Sequence, residues 1–125
     1  GLVFPAGKSD PKALFNLHEI ADKPVNTALA ATQFQIPPPN ILVMGDSGGD
    51  GPHFKWAAEQ GAIRVASMAK PSLKMFCAGQ RIEIHRYFGI SYESGEYRRE
   101  ADEMQVDFRE LVPYVVDRMA INDIR

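Results

Sequence analysis

Residues 41–50 read Ile41-Leu42-Val43-Met44-Gly45-Asp46-Ser47-Gly48-Gly49-Asp50, and this stretch decides the fold of the chain. Its first four residues are apolar and favour a buried strand, while the glycines after them favour a tight turn. The turn carries two carboxylates, Asp46 and Asp50, just past the end of that strand. Ligands of α/β proteins bind beyond the carboxyl ends of strands, so these side chains are candidate oxygen ligands for a hard divalent cation.

Three other interpretations of this turn compete with an ion site. Residues 45–49 match the Gly-Asp-Ser-Gly-Gly that surrounds the nucleophile of trypsin-like proteases, which would make Ser47 that nucleophile. Such an enzyme needs a nearby histidine and an all-β fold of about twice this length. A calcium loop of the EF-hand kind is disfavoured because Gly48 and Ala57 stand where ligands are required. A plain turn, in which Asp46 and Asp50 only cap the next helix, stays open.

The sequence around the turn predicts alternating helices and strands, which is typical of a parallel sheet covered by helices on both faces. The predicted elements are a helix over about 26–35, a strand over 41–44, a helix over 53–60, a strand over 63–66, a helix after Pro71, a short strand over 82–85, and a final helix capped by Asp107. Residues 15–20 fit either a strand or the end of a helix. The expected fold class is therefore α/β, with a three-layer parallel sheet.

Several apolar residues are expected in the core of this fold. The first helix should bury Leu29 and Phe34, and its end is set by the three prolines at 37–39. The side chains expected to be buried farther along the chain are Cys77, Tyr87, Phe88, Tyr92, Phe108, Leu111, Val115 and Met119. Pro113 should either kink the final helix or mark its true start.

Lys23 precedes the acidic turn by one helix, a proline connection and one strand. The order of lysine, helix, strand, acidic turn, helix, glycine and strand over residues 15–75 resembles one half of a known core. That core is found in haloacid dehalogenase-like (HAD) phosphatases of the sugar-phosphatase-like subgroup, which insert a large cap between its two halves. The resemblance is to the C-terminal half.

The resemblance implies a role for each residue of these motifs. Lys23 would neutralise charge on the phosphoryl group, and Asp46 would bind Mg²⁺ directly, which makes both catalytic. Asp50 would complete or steady the metal shell. Ser47 and Gly48 join Lys23 as candidate phosphate-binding residues. Phosphoryl transfer depends mainly on positioning and on positive charge around the phosphate oxygens, and this set of residues suits that chemistry.

A second lysine competes for the role of Lys23. The segment Lys8-Ser9-Asp10-Pro11 is similar to the form that the lysine motif takes in smaller members of the family. Lys8 lies farther from Asp46 along the chain than that form of the motif requires. Lys8 is therefore the alternative, and Lys23 the preferred assignment.

The chain departs from the family in one essential feature, since no apolar strand runs into the Asp-x-Asp that supplies the nucleophile. The chain also opens with Gly1 rather than Met. We therefore expect residues 1–14 to be a remnant of the cap or linker and residues 15–125 to be the C-terminal part of the core. The missing N-terminal half, from the same gene or from a separate chain, is then one partner.

The expected function is Mg²⁺-dependent hydrolysis of a phosphomonoester, with a small phosphorylated metabolite as the substrate. This chain would supply the lysine and the acidic metal-binding motif and would be inactive alone. The alternative is a non-catalytic module that binds a divalent ion or a phosphoryl ligand, or a subunit of a two-chain assembly. An exposed edge of the sheet, where the absent half would pack, would favour the fragment of an enzyme.

Composition narrows the possible partners and locations of the protein. The 125 residues include 14 basic and 16 acidic side chains without a basic cluster, which argues against a nucleic-acid partner. No apolar run approaches the roughly 18 residues of a membrane span, and a single cysteine suits a reducing compartment. Membrane attachment is therefore not expected, and a cytoplasmic location is. The spacing of His18, His53 and His85 does not match a zinc site, and His53 is expected to be structural.

Overall fold

The computed structural model describes residues 22–95 and 99–123. Its helices are α1 (Asp22–Gln33), α2 (Gly51–Gln60), α3 (Pro71–Gly79), α4 (Glu100–Glu103) and α5 (Val112–Asp123), and its strands are β1 (Leu42–Gly45), β2 (Ile63–Ser67) and β3 (Arg86–Phe88). The segment 15–20, residues 1–14 (expected to be a remnant of the cap or linker), Lys8 and His18 lie outside the described residues. Within the described ranges, no helix has the length and apolarity needed to cross a membrane.

The three strands form a parallel sheet in the order β1-β2-β3. Val43 lies opposite Arg64 in the first pair, and Ala66 lies opposite Tyr87 in the second. The predicted α/β fold with a parallel sheet is confirmed, and it is compatible with a Rossmann-like arrangement although the sheet is small. Because the strands are parallel, their carboxyl ends meet at one edge of the sheet, where α/β proteins bind ligands.

Helices cover both faces of this sheet, so the three-layer arrangement is also present. On one face, fully buried side chains of the sheet pack against α2 and α3; this cluster includes Val43, Ala66, Phe54, Leu73 and Cys77. On the other face, Ile63, Val65 and Phe88 pack against Leu111 and the partly buried Tyr114 and Val115 of α5. Each large side chain that is fully buried contributes about 1.5–3 kcal/mol to folding, so these two clusters hold the layers together.

The first helix differs from the prediction in its bounds and in its burial. It begins at Asp22, four residues early, because Pro24 is tolerated within a first helical turn. Leu29 and Phe34 are 36% and 53% exposed, so the expectation that they are buried is wrong. The physical reason is that α1 packs on α2 rather than on the sheet. Apolar residues of α1 and Trp56 of α2 line an open groove of about 600 Å³.

The third strand lies at residues 86–88, and the prediction of a strand over 82–85 is wrong. Segment 82–85 is held to β2 in an irregular conformation. His85 N–H donates to the Arg64 carbonyl at 3.0 Å, and Arg64 Nε donates to the Glu83 carbonyl at 2.7 Å. Phe88 is buried as expected, whereas Tyr87 on the same strand is 48% exposed and does not belong to the core.

Asp107 is an N-cap in the C-terminal segment, as predicted. Asp107 Oδ1 accepts the N–H of Arg109 at 3.0 Å and caps a 3₁₀ turn, after which α5 starts with Pro113 in its first turn. Pro113 therefore marks the start of the helix rather than a kink. Leu111 is buried, but Phe108 is 64% exposed because the 3₁₀ turn moves it off the buried face of α5. The side chain of Met119 lies outside the described residues.

The short helix α4 precedes the C-terminal segment. Upstream of it, Tyr92 is buried as predicted, and its hydroxyl donates to Asp102 Oδ2 at 2.9 Å. Its N–H donates to the Ala69 carbonyl at 2.8 Å. Tyr92 therefore ties the segment after β3 to the loop that follows β2.

Two glycines give a matched test of how closely α2 and α3 pack. A Cβ on Gly51 would lie 2.8 Å from ring atoms of Phe76, whereas a Cβ on Gly79 would meet nothing within 4 Å. Gly51→Ala should therefore lower the free energy of unfolding by about 1–3 kcal/mol through overpacking. Gly79→Ala should raise it by up to about 1 kcal/mol, because Ala is the better helix former. Urea unfolding measures both, and a stabilising Gly51→Ala would contradict the packing.

Candidate functional site

Two loops lie side by side at the carboxyl edge of the sheet, one after β1 and one after β2. The Lys70 N–H donates to the Asp46 carbonyl at 2.7 Å. The Gly48 N–H donates to Ser72 Oγ at 2.8 Å. These two hydrogen bonds fix the backbone of the acidic turn against the start of α3, so its side chains project from a defined surface.

Asp50 is the buried anchor of the acidic turn, with only 5% of its surface exposed. Its Oδ2 accepts the N–H of Asp46 at 2.8 Å and the N–H of Ser47 at 3.3 Å. Its Oδ1 forms an ion pair with Lys23 Nζ. A Cβ on Gly45 would lie 2.6 Å from the Cβ and Cγ of Asp50, so a glycine is required at that position for the carboxylate to fit.

The pKa of Asp50 lies below its ordinary value. Burial by itself disfavours the charged carboxylate, but the hydrogen bonds from Lys23 and from the N–H groups of Asp46 and Ser47 outweigh it. Asp50 is therefore ionised at neutral pH, and both of its oxygens are engaged by donors of the protein. This geometry suits the steadying role better than direct ligation of an ion.

Asp46 is the more accessible carboxylate of the turn. Its side chain is 29% exposed, and its Oδ2 lies 3.8 Å from Lys70 Nζ. Sequence reasoning missed Lys70. The available signal was a lysine that lies a few residues after a strand and directly precedes the proline at which a helix begins.

Lys23 reaches the acidic turn from the first helical turn of α1. Its ammonium pairs with Asp50, 27 residues farther along the chain. Because Asp50 also binds the backbone of Asp46, the lysine and both carboxylates belong to one local cluster. The Lys23 side chain as a whole is 49% exposed.

His53 holds Lys23 in place indirectly. Thr27 Oγ1 donates to the Lys23 carbonyl at 2.9 Å and lies 2.8 Å from His53 Nε2. Because the single hydroxyl proton goes to that carbonyl, Nε2 is the donor in the second bond. Burial, and then the positive charge of Lys23, hold the pKa of His53 below its ordinary value against the opposing effect of Asp50. His53 therefore joins α1 to α2 as a neutral residue.

The protease interpretation of Ser47 is wrong because the turn belongs to a parallel α/β sheet. Of the two described histidines, His53 Nε2 pairs with Thr27 and His85 Nδ1 accepts the N–H of Arg64. The EF-hand interpretation is wrong as well, since the turn follows a strand instead of a helix. The interpretation in which both carboxylates only cap the next helix accounts for Asp50 but gives no reason for the accessible Asp46.

The acidic turn offers few protein ligands for a metal. In residues 22–95 and 99–123, no three His, Cys, Asp or Glu side chains converge on a common point. Of the two carboxylates of the turn, Asp46 is the one with the more exposed side chain, at 29%. Such a donor set fits Mg²⁺, which keeps several waters and binds through one or two carboxylates and substrate phosphates.

No family model, characterised protein or solved structure matches this chain. The comparisons therefore add no family to the fold and site described above. Any function has to be argued from the sequence motif and from the geometry of the acidic turn.

Proposed function

We propose that this chain is the C-terminal part of the core of a HAD-like, Mg²⁺-dependent phosphomonoester hydrolase. One observation carries the proposal. Lys23 and the Asp46-to-Asp50 turn, which the resemblance pairs from separate motifs, come together at the carboxyl edge of a parallel sheet. A lysine and an acidic loop at such an edge provide the positioning and the charge that phosphoryl transfer requires.

Each residue of the site would have a separate role. Asp46 would hold Mg²⁺, which supplies positive charge to the phosphoryl oxygens when bound. Lys23, whose side chain is half-exposed, would contact the same phosphoryl group, while Asp50 orients that lysine and the backbone of the turn. Ser47 would contact the phosphoryl group with its hydroxyl. The Gly48 N–H already donates to Ser72, so a phosphate that used it would have to replace that bond.

The nucleophilic Asp would come from a strand that this chain lacks. Within the described residues, β1 pairs with β2 alone and no strand pairs with its other edge. An open edge presents backbone donors and acceptors to a further strand. A parallel strand added there would end beside the Asp46 loop and would bring its carboxyl-terminal residues to the site. An edge of β1 without a partner strand among the described residues thus supports the proposal of a missing half, in the same gene or in a second chain.

A non-catalytic binding module is the second candidate. The absence of Asp-x-Asp from all 125 residues favours it, since the chain then binds an ion or phosphate without turnover. The two candidates share the site and differ in whether a complementary half restores hydrolysis. A phosphomonoester assay on the chain joined to such a half, with and without Mg²⁺, distinguishes them.

The first test of the site is a titration of the chain with Mg²⁺ and then with inorganic phosphate, followed by amide NMR signals. We expect the signals of Asp46, Ser47 and Gly48 to shift with Mg²⁺, and phosphate to bind more tightly once the ion is present. The amides of α5, on the opposite face of the sheet, serve as the internal control. If neither ligand shifts the acidic turn, the proposed function is wrong.

A further inference from the structure

Lys70 is a charged residue of the site to which the proposed function gives no role. It lies three residues after Ser67, the end of β2, and its backbone is extended, with φ −87° and ψ 158° at the start of α3. The next residue, Pro71, disfavours a helical conformation at Lys70. Its N–H donates to the Asp46 carbonyl at 2.7 Å. The backbone of Lys70 is therefore fixed beside the accessible carboxylate.

The Lys70 side chain is unusually well covered for a lysine, since only 21% of it is exposed. Its Nζ lies 3.8 Å from Asp46 Oδ2. This distance is within ion-pair range but longer than a hydrogen bond, so the contact is electrostatic and easily broken. The ammonium is thus held at the site without being locked to Asp46.

From this placement we propose that Lys70 is a second phosphate-binding residue, which pairs with Asp46 in the free protein and contacts a phosphoryl oxygen once a divalent ion occupies Asp46. The proposal rests on the proposed function, because it needs the ion at Asp46. A divalent cation and an ammonium compete for one carboxylate, so binding of the ion releases Lys70. A phosphate dianion that reaches the ion then meets the released ammonium.

The two lysines of the site differ in how they are held. Lys23 is hydrogen-bonded to the buried Asp50, which has further donors from the backbone, so it stays in place whether or not an ion binds. Lys70 pairs with the carboxylate that the ion takes. Lys70 therefore couples the binding of the divalent ion to the binding of phosphate. Phosphate raises the affinity for the ion, and by reciprocity the ion raises the affinity for phosphate.

Calorimetric titrations of Mg²⁺ with and without inorganic phosphate, on the wild type and on Lys70→Met, test the proposal. In Lys70→Met, we expect the affinity for Mg²⁺ without phosphate to rise by up to about fivefold, because the competing ammonium is gone. The affinity for phosphate in the presence of Mg²⁺ should fall about tenfold or more, since a charge-assisted contact is lost. Lys70→Arg should restore part of the phosphate affinity.

Lys55→Met is the matched control, because it removes one positive charge from an exposed position on α2. It should leave both affinities within about twofold of the wild type. If the wild type binds Mg²⁺ and phosphate but Lys70→Met behaves in the same way, the role of Lys70 is wrong and the proposed function stands. If Lys70→Met loses affinity for Mg²⁺ itself, Lys70 only positions Asp46. If the wild type binds neither ligand, both proposals fall.

Discussion

Asp46→Asn should abolish Mg²⁺ binding while leaving the fold intact. Asn keeps the shape of the side chain but removes the negative charge that a hard cation requires. Changes to groups that merely support a metal ligand already cost 10–100-fold in affinity, so loss of the ligand itself should cost at least roughly a hundredfold. Because the Asp46 side chain is partly exposed and its ion pair with Lys70 is long, the free energy of unfolding should change by about 1 kcal/mol or less.

The same NMR titration checks this result, with urea unfolding to confirm stability. Glu59→Gln on α2 is the matched control, because it neutralises an exposed carboxylate away from the acidic turn. It should bind Mg²⁺ as the wild type does. Equal Mg²⁺ affinity in Asp46→Asn and the wild type would place any ion elsewhere and would remove the main support for a phosphatase.

The sequence predicted the sheet and the acidic turn well because their signals are local. The apolar run at 41–44, the glycines after it and the next apolar run at 63–66 each specify one element without help from distant residues. Asp46 and Asp50 were placed at the carboxyl end of a strand for the same reason. Local pattern also located the cap at Asp107.

Local sequence pattern did not predict which distant residues pair with each other. The resemblance grouped Lys23 with the acidic turn but did not indicate which carboxylate it pairs with, and in the fold that partner is Asp50. Lys70 was missed, since only the register of β1 against β2 brings it beside Asp46. The burial of Leu29 was wrongly predicted for a related reason. An apolar helix face predicts that the helix packs on something, but it does not predict whether that surface is the sheet or another helix.

The same limits apply to the β3 region. Alternation of apolar and polar residues at 82–85 is typical of a strand, but the side chains of Arg64 and His85 take up hydrogen bonds that a ladder would otherwise make. The strand therefore starts four residues later than predicted, at Arg86, and Tyr87 and Phe88 pair with the end of β2. Side-chain bonds to the backbone can override a strand pattern, and a single sequence does not reveal them.

Asp50→Ala should have the largest effect on stability, because one buried carboxylate organises the whole turn. Its removal leaves the N–H groups of Asp46 and Ser47 without their acceptor and Lys23 without its counter-ion. Each partly buried donor left unsatisfied costs about 1–3 kcal/mol, and some of that is recovered by water. We expect the free energy of unfolding to fall by about 2–4 kcal/mol, as measured by urea unfolding at neutral pH.

The dependence on pH separates this carboxylate from ordinary packing. Because the pKa of Asp50 is lowered in the folded state, its charge contributes stability that is fully present above its ordinary pKa of about 4 and is lost as the pH falls through the lowered value. The difference between the wild type and Asp50→Ala should therefore shrink in acid. Lys23→Met, which removes a half-exposed partner, should cost about 1 kcal/mol or less. If Lys23→Met instead costs as much as Asp50→Ala, the ion pair holds the turn and the two backbone hydrogen bonds contribute little.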